Sequence, residues 1–209
     1  MKNIILILLL ICCNKTFAQT KYEKYQITGL GTILVPDLME LQDGLYRQQE
    51  TDKLKAKGIE VSGDKIVFQQ KGLNLGTKNA FSSYARVTIT TTMGRPGEFG
   101  KLSQPPNISA QDIQVIKEAM TAKFAANRDG LKLVNWITTA PAVVNGNKCF
   151  RISYLRQLKN NPYVVVDMYE FQNNDRKYMV MMSYRRDDAR TWEPVYKKML
   201  ESLQITNVK

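Results

Sequence analysis

The chain has 209 residues, of which 30 are lysine or arginine, 19 are aspartate or glutamate and none is histidine, so its formal net charge is +11. The absence of histidine excludes Ser-His-Asp and Cys-His catalysis and histidine-ligated zinc, and it removes the commonest general base of enzymes. This length fits one domain with a substantial core. The basic composition favours acidic partners such as anionic lipid headgroups, glycans or acidic proteins.

The first 18 residues have the three-part layout of a secretory signal peptide. Lys2 gives a positive start, residues 4–13 are apolar, and Thr16 and Ala18 place small residues at the −3 and −1 positions of a cleavage site. A transmembrane helix needs about 20 apolar residues, so this segment is too short for an integral membrane anchor. We therefore expect cleavage near Ala18-Gln19 and a periplasmic or extracellular protein.

Lipidation is the alternative way of processing this leader, with Cys12 or Cys13 as the acceptor. A lipidated cysteine follows a small residue, whereas Ile11 precedes Cys12 and Cys12 precedes Cys13. The sequence therefore favours cleavage without a lipid anchor.

Cleavage would leave a single domain, residues 19–209. It would remove Lys2 and Lys15 and no acid, leaving 28 of the 30 basic residues against 19 acidic ones, a net charge of +9. The basic residues form no block of like charges, which argues against a nucleic-acid partner and favours an anionic envelope component. Cys149 would be the one remaining cysteine, so no intramolecular disulfide forms, and we expect a buried apolar side chain rather than a reactive thiol.

The N-terminal half predicts short strands separated by loops. Residues 19–29 are polar and partly alternating, and strands are expected at residues 31–35, 65–70 and 82–92, the last of which is rich in β-branched side chains. Residues 93–107 contain three glycines and three prolines, which predicts a loop. Loops of this length are often functional.

A helix is predicted directly after this loop. Ser109 is followed three positions later by Asp112, a variant of the capping box that begins many helices. The apolar residues that follow at helical spacing are Ile113, Ile116, Met120 and Phe124. This pattern is typical of a helix with one apolar face.

The C-terminal half predicts an antiparallel meander and a closing helix. The four strand candidates are residues 131–137, 148–158, 163–172 and 177–185. Asn145-Gly146 is a hairpin-turn dipeptide between the first two strands, and an apolar stripe predicts a helix over about residues 188–203. Both faces of this sheet are largely apolar, so both need cover. We therefore expect an α+β fold, an antiparallel sheet with helices packed on both faces, forming an α/β/α sandwich.

The strand register predicts an aromatic face around one carboxylate. A tight turn at Asn160-Asn161 would place Tyr154 opposite Asp167, and the next turn would place Met182 opposite the same carboxylate. The ligand-binding candidates on this face are Asp167, Arg156, Tyr154, Tyr169, Tyr178 and Tyr184. A carboxylate in this position must be paired or protonated. Two interpretations stay open, namely a ligand pocket and a structural pair of Asp167 with Arg156 or a tyrosine.

The opposite face is predicted to carry Met168, Met179 and Met181 together with Cys149. Thioether and thiolate sulfurs bind Cu(I). Methionine is also a common core filler, and copper sites usually include histidine. We therefore favour core packing and predict neither a metal site nor a cofactor.

Charged side chains suggest two further contacts. Arg151 and Glu170 fall opposite each other in the predicted register, which favours a cross-strand ion pair. Arg185 and Arg186 end the last strand, and guanidinium groups of this kind bind phosphate or carboxylate. These two arginines are the candidate anion-binding residues.

The order of elements resembles the PsbP-like group. The similarity covers about residues 25–206 and consists of the leader, early strands ending at Val35-Pro36, a long loop, a helix, a four-strand meander and a last helix entered through Arg190-Thr191-Trp192. It is a resemblance of fold and not of a diagnostic motif, so it assigns no functional residue. It implies a non-enzymatic accessory or binding domain.

We expect an exported, non-enzymatic domain that binds a protein or an envelope component, in an accessory or inhibitor-type role. One alternative is a carrier of a small ligand or metal that uses the tyrosine-rich face around Asp167. The other alternative is a carboxylate-dependent hydrolase, which needs a second carboxylate near Asp167. The predicted register supplies no such carboxylate, so no catalytic residue is assigned.

Overall fold

The computed structural model of the protein describes residues 20–42, 65–77, 80 and 82–206, together with the single residues 48 and 52. The predicted signal peptide and its cleavage site lie outside the described residues. The strands of this part are β1 Tyr22–Ile27, β2 Gly31–Pro36, β3 Met39–Leu41, β4 Lys65–Gln70, β5 Ala85–Met93, β6 Leu131–Val144, β7 Asn147–Leu158, β8 Val164–Asn173, β9 Arg176–Arg185 and β10 Gln204–Ile205. The α-helices with described bounds are α1 Ala110–Ala125 and α2 Ala189–Glu201, and a 3₁₀ turn, Arg186–Asp188, leads into α2.

Three strands form a small antiparallel sheet in the order β1-β2-β10. The first and last strands of the described part come together here, because Gly31 of β2 pairs with Ile205 of β10. Gly31 has a φ of 146°, and a Cβ at this position would lie 1.9 Å from the carbonyl oxygen of Gln204. Only glycine allows this close approach of two backbones.

The larger sheet has seven antiparallel strands in the order β3-β4-β5-β9-β8-β7-β6. Strands β6 to β9 form the predicted meander. Asn145 and Gly146 have φ values of 44° and 75°, the left-handed conformation that a tight hairpin turn requires. β6 is longer than predicted and contains two irregularities, between Leu133 and Asn135 and between Trp136 and Thr138, where its register to β7 shifts.

The predicted register is confirmed between β8 and β9, where Asp167 pairs with Met182. The predicted register between β7 and β8 is wrong by one residue. Ser153, and not Tyr154, lies opposite Asp167, and Tyr154 pairs with Val166.

The turn between β7 and β8 explains this shift. A two-residue turn centres a hairpin between Asn160 and Asn161, whereas the observed register is centred on Asn160 itself. The connection between paired residues is therefore one residue longer than predicted, and Lys159 within it takes a left-handed φ of 52°. Since side chains alternate along a strand, this one-residue shift moves Tyr154 and Arg156 to the face opposite Asp167.

One face of the large sheet, which we call the core face, carries Asp167 and is covered by α2. Its buried side chains include Val87 of β5, Phe171 of β8 and Met182 of β9, each no more than 1% exposed. The residues of α2 that are buried with them are Trp192, Val195, Tyr196 and Met199. The apolar stripe predicted for the last helix therefore builds the main core.

The opposite face, which we call the open face, carries Tyr154, Arg156, Met168 and Met181. The capping box predicted for α1 is confirmed, because the hydroxyl of Ser109 and the side chain of Asp112 each accept the other's backbone N–H. The predicted apolar stripe of α1 is only half-buried, and none of its residues is fully buried.

α1 contacts the open face through Phe124, whose ring packs edge-on against that of Tyr154 with 5.6 Å between the ring centres. The mixed α+β class is therefore confirmed. A helical layer covering each face of the sheet, as predicted for a complete sandwich, is not confirmed. No helix in the described part of the chain is long and apolar enough to cross a membrane.

Candidate functional site

Asp167 lies on the core face and is paired, but its partner differs from the predicted one. The guanidinium of Arg151 donates from Nη2 and Nε to Oδ1 of Asp167, at 2.6 Å and 3.0 Å. Arg156, the predicted partner, lies on the other face of the sheet. Arg151 also lies 5.8 Å from the ring centre of Tyr169. The carboxylate of Asp167 therefore forms a structural ion pair with Arg151 and not with Arg156.

A cavity of about 330 Å³ lies beside this pair, between the core face and α2. Glu193 of α2 lines this cavity and is the second carboxylate that the sequence register did not supply. It accepts a hydrogen bond of 2.9 Å from the hydroxyl of Tyr184. Burial, and then the Glu193 carboxylate, raise the pKa of Tyr184 well above its ordinary value. Both carboxylates of the cavity are therefore engaged with protein partners.

Three of the predicted ligand-binding tyrosines belong to the core. Tyr169, Tyr178 and Tyr184 are 7%, 0% and 4% exposed, respectively. The hydroxyl of Tyr178 donates to the backbone carbonyl of Gly29 at 2.5 Å, which ties the large sheet to the small one. Burial raises the pKa of Tyr169 to about 12. Tyr178 thus fills the core, whereas Tyr169 and Tyr184 are buried but also line the cavity beside Asp167.

Tyr154 and Arg156 are brought together with a different set of residues on the open face. Tyr154 is stacked on Trp136 of β6 at 6.4 Å. Arg156 donates from Nη2 to the hydroxyl oxygen of Tyr84 at 3.1 Å. Tyr84 lies just before β5, which the sheet order separates from β7 by two strands. Their contact is therefore made across the surface of the sheet.

Three arginines converge on the open face at this end of the sheet. Arg86 of β5, Arg156 of β7 and Arg185 of β9 all line one pocket of about 380 Å³. The other residues that line this arginine pocket are Tyr84, Asn127, Asp129, Leu131, Leu158, Asn161, Pro162 and Val164. Asp129 is the one carboxylate among these lining residues, so positive charge predominates.

The arginines are held differently. Arg185 donates to the backbone carbonyl of Ser82, and Arg156 donates to Tyr84. The guanidinium of Arg86 lies 5.9 Å from the ring centre of Tyr84, and its buried Nε has no hydrogen-bond partner. An unsatisfied buried donor of a charged group is unfavourable unless a ligand or a water completes it.

Tyr84 reports the positive potential of the pocket. Burial alone would raise the pKa of Tyr84, but the charges of Arg156 and Arg86 and the hydrogen bonds to Ser183 and Arg156 outweigh it. The pKa of Tyr84 therefore lies below its ordinary value. A site that favours a phenolate also favours other anions.

Arg186, the second predicted anion-binding residue, does not line this pocket. Its guanidinium lies over the ring of Tyr163 at 4.7 Å and approaches the carboxylate of Asp187 at 3.9 Å. Arg185 and Arg186, which are adjacent in the sequence, therefore lie in different surroundings. Arg185 contributes to the arginine pocket, and Arg186 makes surface contacts.

A smaller cavity of about 200 Å³ continues from the arginine pocket between α1 and the open face. We call it the apolar groove. Its lining residues are Met120, Lys123, Phe124, Asn127, Leu131, Tyr154, Arg156, Met168 and Met181. Asn127, Leu131 and Arg156 line both cavities, so the two are contiguous.

One sequence prediction near the methionines, the face on which Cys149 lies, is wrong because of the register shift. Cys149 lies on the core face, fully buried, and not beside Met168 and Met181. Burial raises the pKa of the Cys149 thiol to about 11. Within the described ranges, no group of three or more cysteine, aspartate or glutamate side chains has a geometry that could hold a metal ion.

The predicted ion pair of Arg151 with Glu170 is replaced by two others. Arg151 binds Asp167, and Glu170 lies 3.6 Å from the Nζ of Lys177 across β8 and β9. The one-residue shift between β7 and β8 puts Arg151 and Glu170 on opposite faces, which explains the exchange of partners.

Sequence reasoning missed Tyr84 and Arg86. The local signal was present, because both residues lie at alternate positions in the strand predicted over residues 82–92. Their neighbours were not predictable, since β5 pairs with β9, which is about ninety residues away along the chain.

No family model and no curated protein matches the chain. Among solved structures it is similar to cyanobacterial PsbP (CyanoP) from Synechocystis sp. PCC 6803, with a TM-score of 0.52 and 13% identity over 93% of this chain and 97% of that one. It also matches PA94, a Pseudomonas aeruginosa protein of unknown function, with a TM-score of 0.43 and 11% identity over 90% of this chain and 99% of that one. A protein from Bacteroides thetaiotaomicron matches with a TM-score of 0.44 and 10% identity over 90% of this chain and 49% of that one.

At 13% identity, the similarity to cyanobacterial PsbP concerns the fold alone. The other two matches, with TM-scores of 0.43 and 0.44, do not support the fold assignment further. The chain has the PsbP-like fold that its order of elements indicates.

Proposed function

We propose that this protein is an exported, non-catalytic accessory domain that holds an anionic group of an envelope component in the arginine pocket. The observation that carries the proposal is the convergence of Arg86, Arg156 and Arg185, from three different strands, on one pocket with a single carboxylate. The anionic group is a phosphate or a carboxylate. Planar guanidinium groups match both by paired hydrogen bonds.

The states of two of the three guanidinium groups, those of Arg86 and Arg156, support a binding role. Arg86 has a buried Nε without a partner, so an anion would complete its hydrogen bonding. Arg156 shares the Tyr84 hydroxyl, a neutral partner that leaves its positive charge uncompensated there. The pocket volume of about 380 Å³ lies in the range of roughly 300–1,000 Å³ that is usual for small-molecule sites.

A non-catalytic role is supported by the other cavity with charged residues. Asp167 is bound by Arg151, and Glu193 accepts the Tyr184 hydroxyl. Each carboxylate thus has a hydrogen-bond partner within the protein, and a structural role accounts for both. The PsbP-like fold supports an accessory domain by analogy. Export is the proposal that follows from the leader pattern of residues 1–18.

Isothermal titration of the purified protein with inorganic phosphate tests the proposal. We expect saturable binding that weakens about tenfold or more in Arg86→Gln, because hydrogen bonds to charged groups contribute about 1.5–3 kcal/mol. The matched control is Arg190→Gln, which removes the same charge from an exposed position of α2 and is expected to change the affinity less than twofold.

Equal losses in Arg86→Gln and Arg190→Gln would show that phosphate senses only the net charge and would overturn the proposal. Thermal unfolding of each variant separates a lost binding site from a lost fold. Arg156→Gln gives a second, independent variant of the same pocket. Its effect on phosphate affinity should match the direction seen for Arg86→Gln.

A further inference from the structure

We infer that the natural ligand is an anionic amphiphile, with its phosphate or carboxylate head in the arginine pocket and a single apolar chain in the apolar groove. This inference rests on the proposed function, since it uses the same anion site. It adds the chemical class of the ligand, which the arginine pocket alone does not define.

The continuity of the two cavities is the first argument. Arg156 and Leu131 line both, so an apolar chain attached to an anion bound at Arg156 passes directly into the groove. The charges of the two cavities determine which end of the ligand lies in which cavity. Three guanidinium groups surround the head, whereas Lys123 and Arg156 are the charged residues that line the groove.

The side chains of the groove are the second argument. Met120 and Phe124 of α1 face Met168 and Met181 of the sheet. Methionine side chains are flexible and polarisable, so they adapt to an alkyl chain whose conformation is not fixed. All four are half-buried, so each still exposes apolar surface that a bound chain would remove from water.

The packing of α1 is the third argument. No residue of α1 is fully buried, although Met120 and Phe124 of its apolar stripe line the groove against the sheet. In contrast, α2 buries four residues against the core face. A loosely packed helix over an apolar sheet surface leaves space between them, and the groove of about 200 Å³ is that space. Its small volume suits one short chain rather than two.

Titration with alkyl phosphates of increasing length, from ethyl to octyl phosphate below their micelle concentrations, tests the inference. We expect the affinity to rise about two- to fourfold for each added methylene until the groove is filled. The alkanoates from butanoate to octanoate serve as the carboxylate arm. A chain-length effect with either head supports the inference, and the tighter of the two identifies the head.

Groove variants locate the chain. Met168→Gln is expected to flatten the dependence on chain length while it leaves the affinity for ethyl phosphate within about twofold. The matched control is Ile113→Ala, which removes half-buried apolar surface from α1 outside the groove and should preserve that dependence. A chain-length effect that is unchanged in Met168→Gln would overturn the placement of the chain.

Three other results decide between this inference and the proposed function or overturn both. If ethyl and octyl phosphate bind equally and both depend on Arg86, the inference is wrong and the proposed function stands. If octanol binds as tightly as octyl phosphate and Arg86→Gln has no effect, both are wrong. The absence of binding for every probe in a folded protein would also overturn both.

Discussion

The two faces of the seven-stranded sheet differ in how completely they are packed. On the core face, Met182 is 1% exposed beneath α2, whereas its neighbour in β9, Met181, is half-buried on the open face. The polar groups of the core face, such as Asp167, have protein partners. On the open face, the buried Nε of Arg86 has none. One sheet thus has a filled face that stabilises the fold and a less completely packed face, on which we propose that an anion binds.

The largest expected effect comes from truncating the same residue type on each face. Met182→Ala should lower the free energy of unfolding by about 2–5 kcal/mol, because it leaves a cavity in a filled core. Met181→Ala should lower it by about 1 kcal/mol, since its side chain is half-exposed already. Urea unfolding of the two variants measures the difference. Equal losses would remove the distinction between the faces.

Alkaline pH should destabilise the core face through its buried tyrosines. Burial raises the pKa of Tyr169 from 10.0 to about 12, so the unfolded chain releases this proton at a lower pH than the native protein. The stability is fully present below pH 10 and falls by on the order of 2 kcal/mol as the pH rises through the folded pKa. Tyr169→Phe should make this decline shallower in urea unfolding series. A decline of unchanged depth would contradict the account.

Breaking the ion pair of the core face should affect stability without affecting anion binding. Asp167→Asn leaves Arg151 without its carboxylate, and we expect a loss of about 1–2 kcal/mol because the pair is only partly buried. Glu170→Gln, which removes the looser contact to Lys177, is the control and should lose less than about 1 kcal/mol. Weaker phosphate binding in Asp167→Asn alone would place the anion site on the wrong face.

The smallest expected effect concerns Tyr84 of the open face. Its pKa is lowered, so at alkaline pH it becomes a phenolate before ordinary tyrosines do and competes with a bound anion for Arg86 and Arg156. Phosphate affinity should therefore fall as the pH rises through the pKa of Tyr84, and Tyr84→Phe should abolish this fall. At neutral pH the variant should change the affinity only about twofold, because the arginine charges remain. Identical pH profiles for the two proteins would argue against a shared site.

The parts of the fold that depend on neighbouring residues were predictable. The Ser109–Asp112 capping box and the Asn145-Gly146 hairpin carry their own signals within a few positions. The register of β8 with β9 followed from a short turn and a consistent pattern of apolar residues. The buried state of Cys149 followed from the chemistry of an unpaired thiol.

The remaining features depend on one-residue details or on distant contacts. The connection from β7 to β8, in which Lys159 is left-handed, is one residue longer than predicted, and this shift exchanges the partner of Asp167 and moves Arg156 to the open face. The arginine pocket needs β5 beside β9, a pairing that no local pattern specifies. Arg185 was found from the sequence, but its companions Arg86 and Tyr84 were not, because the sheet alone brings them together.

Side-chain NMR of the arginine Nε–H groups during titration with inorganic phosphate tests the central claim most directly. The account predicts that the signals of Arg86, Arg156 and Arg185 shift in a saturable way with one common affinity, and that the exposed Arg190 does not respond. Shifts of equal size at Arg190, or the absence of any saturable shift at Arg86, would contradict it.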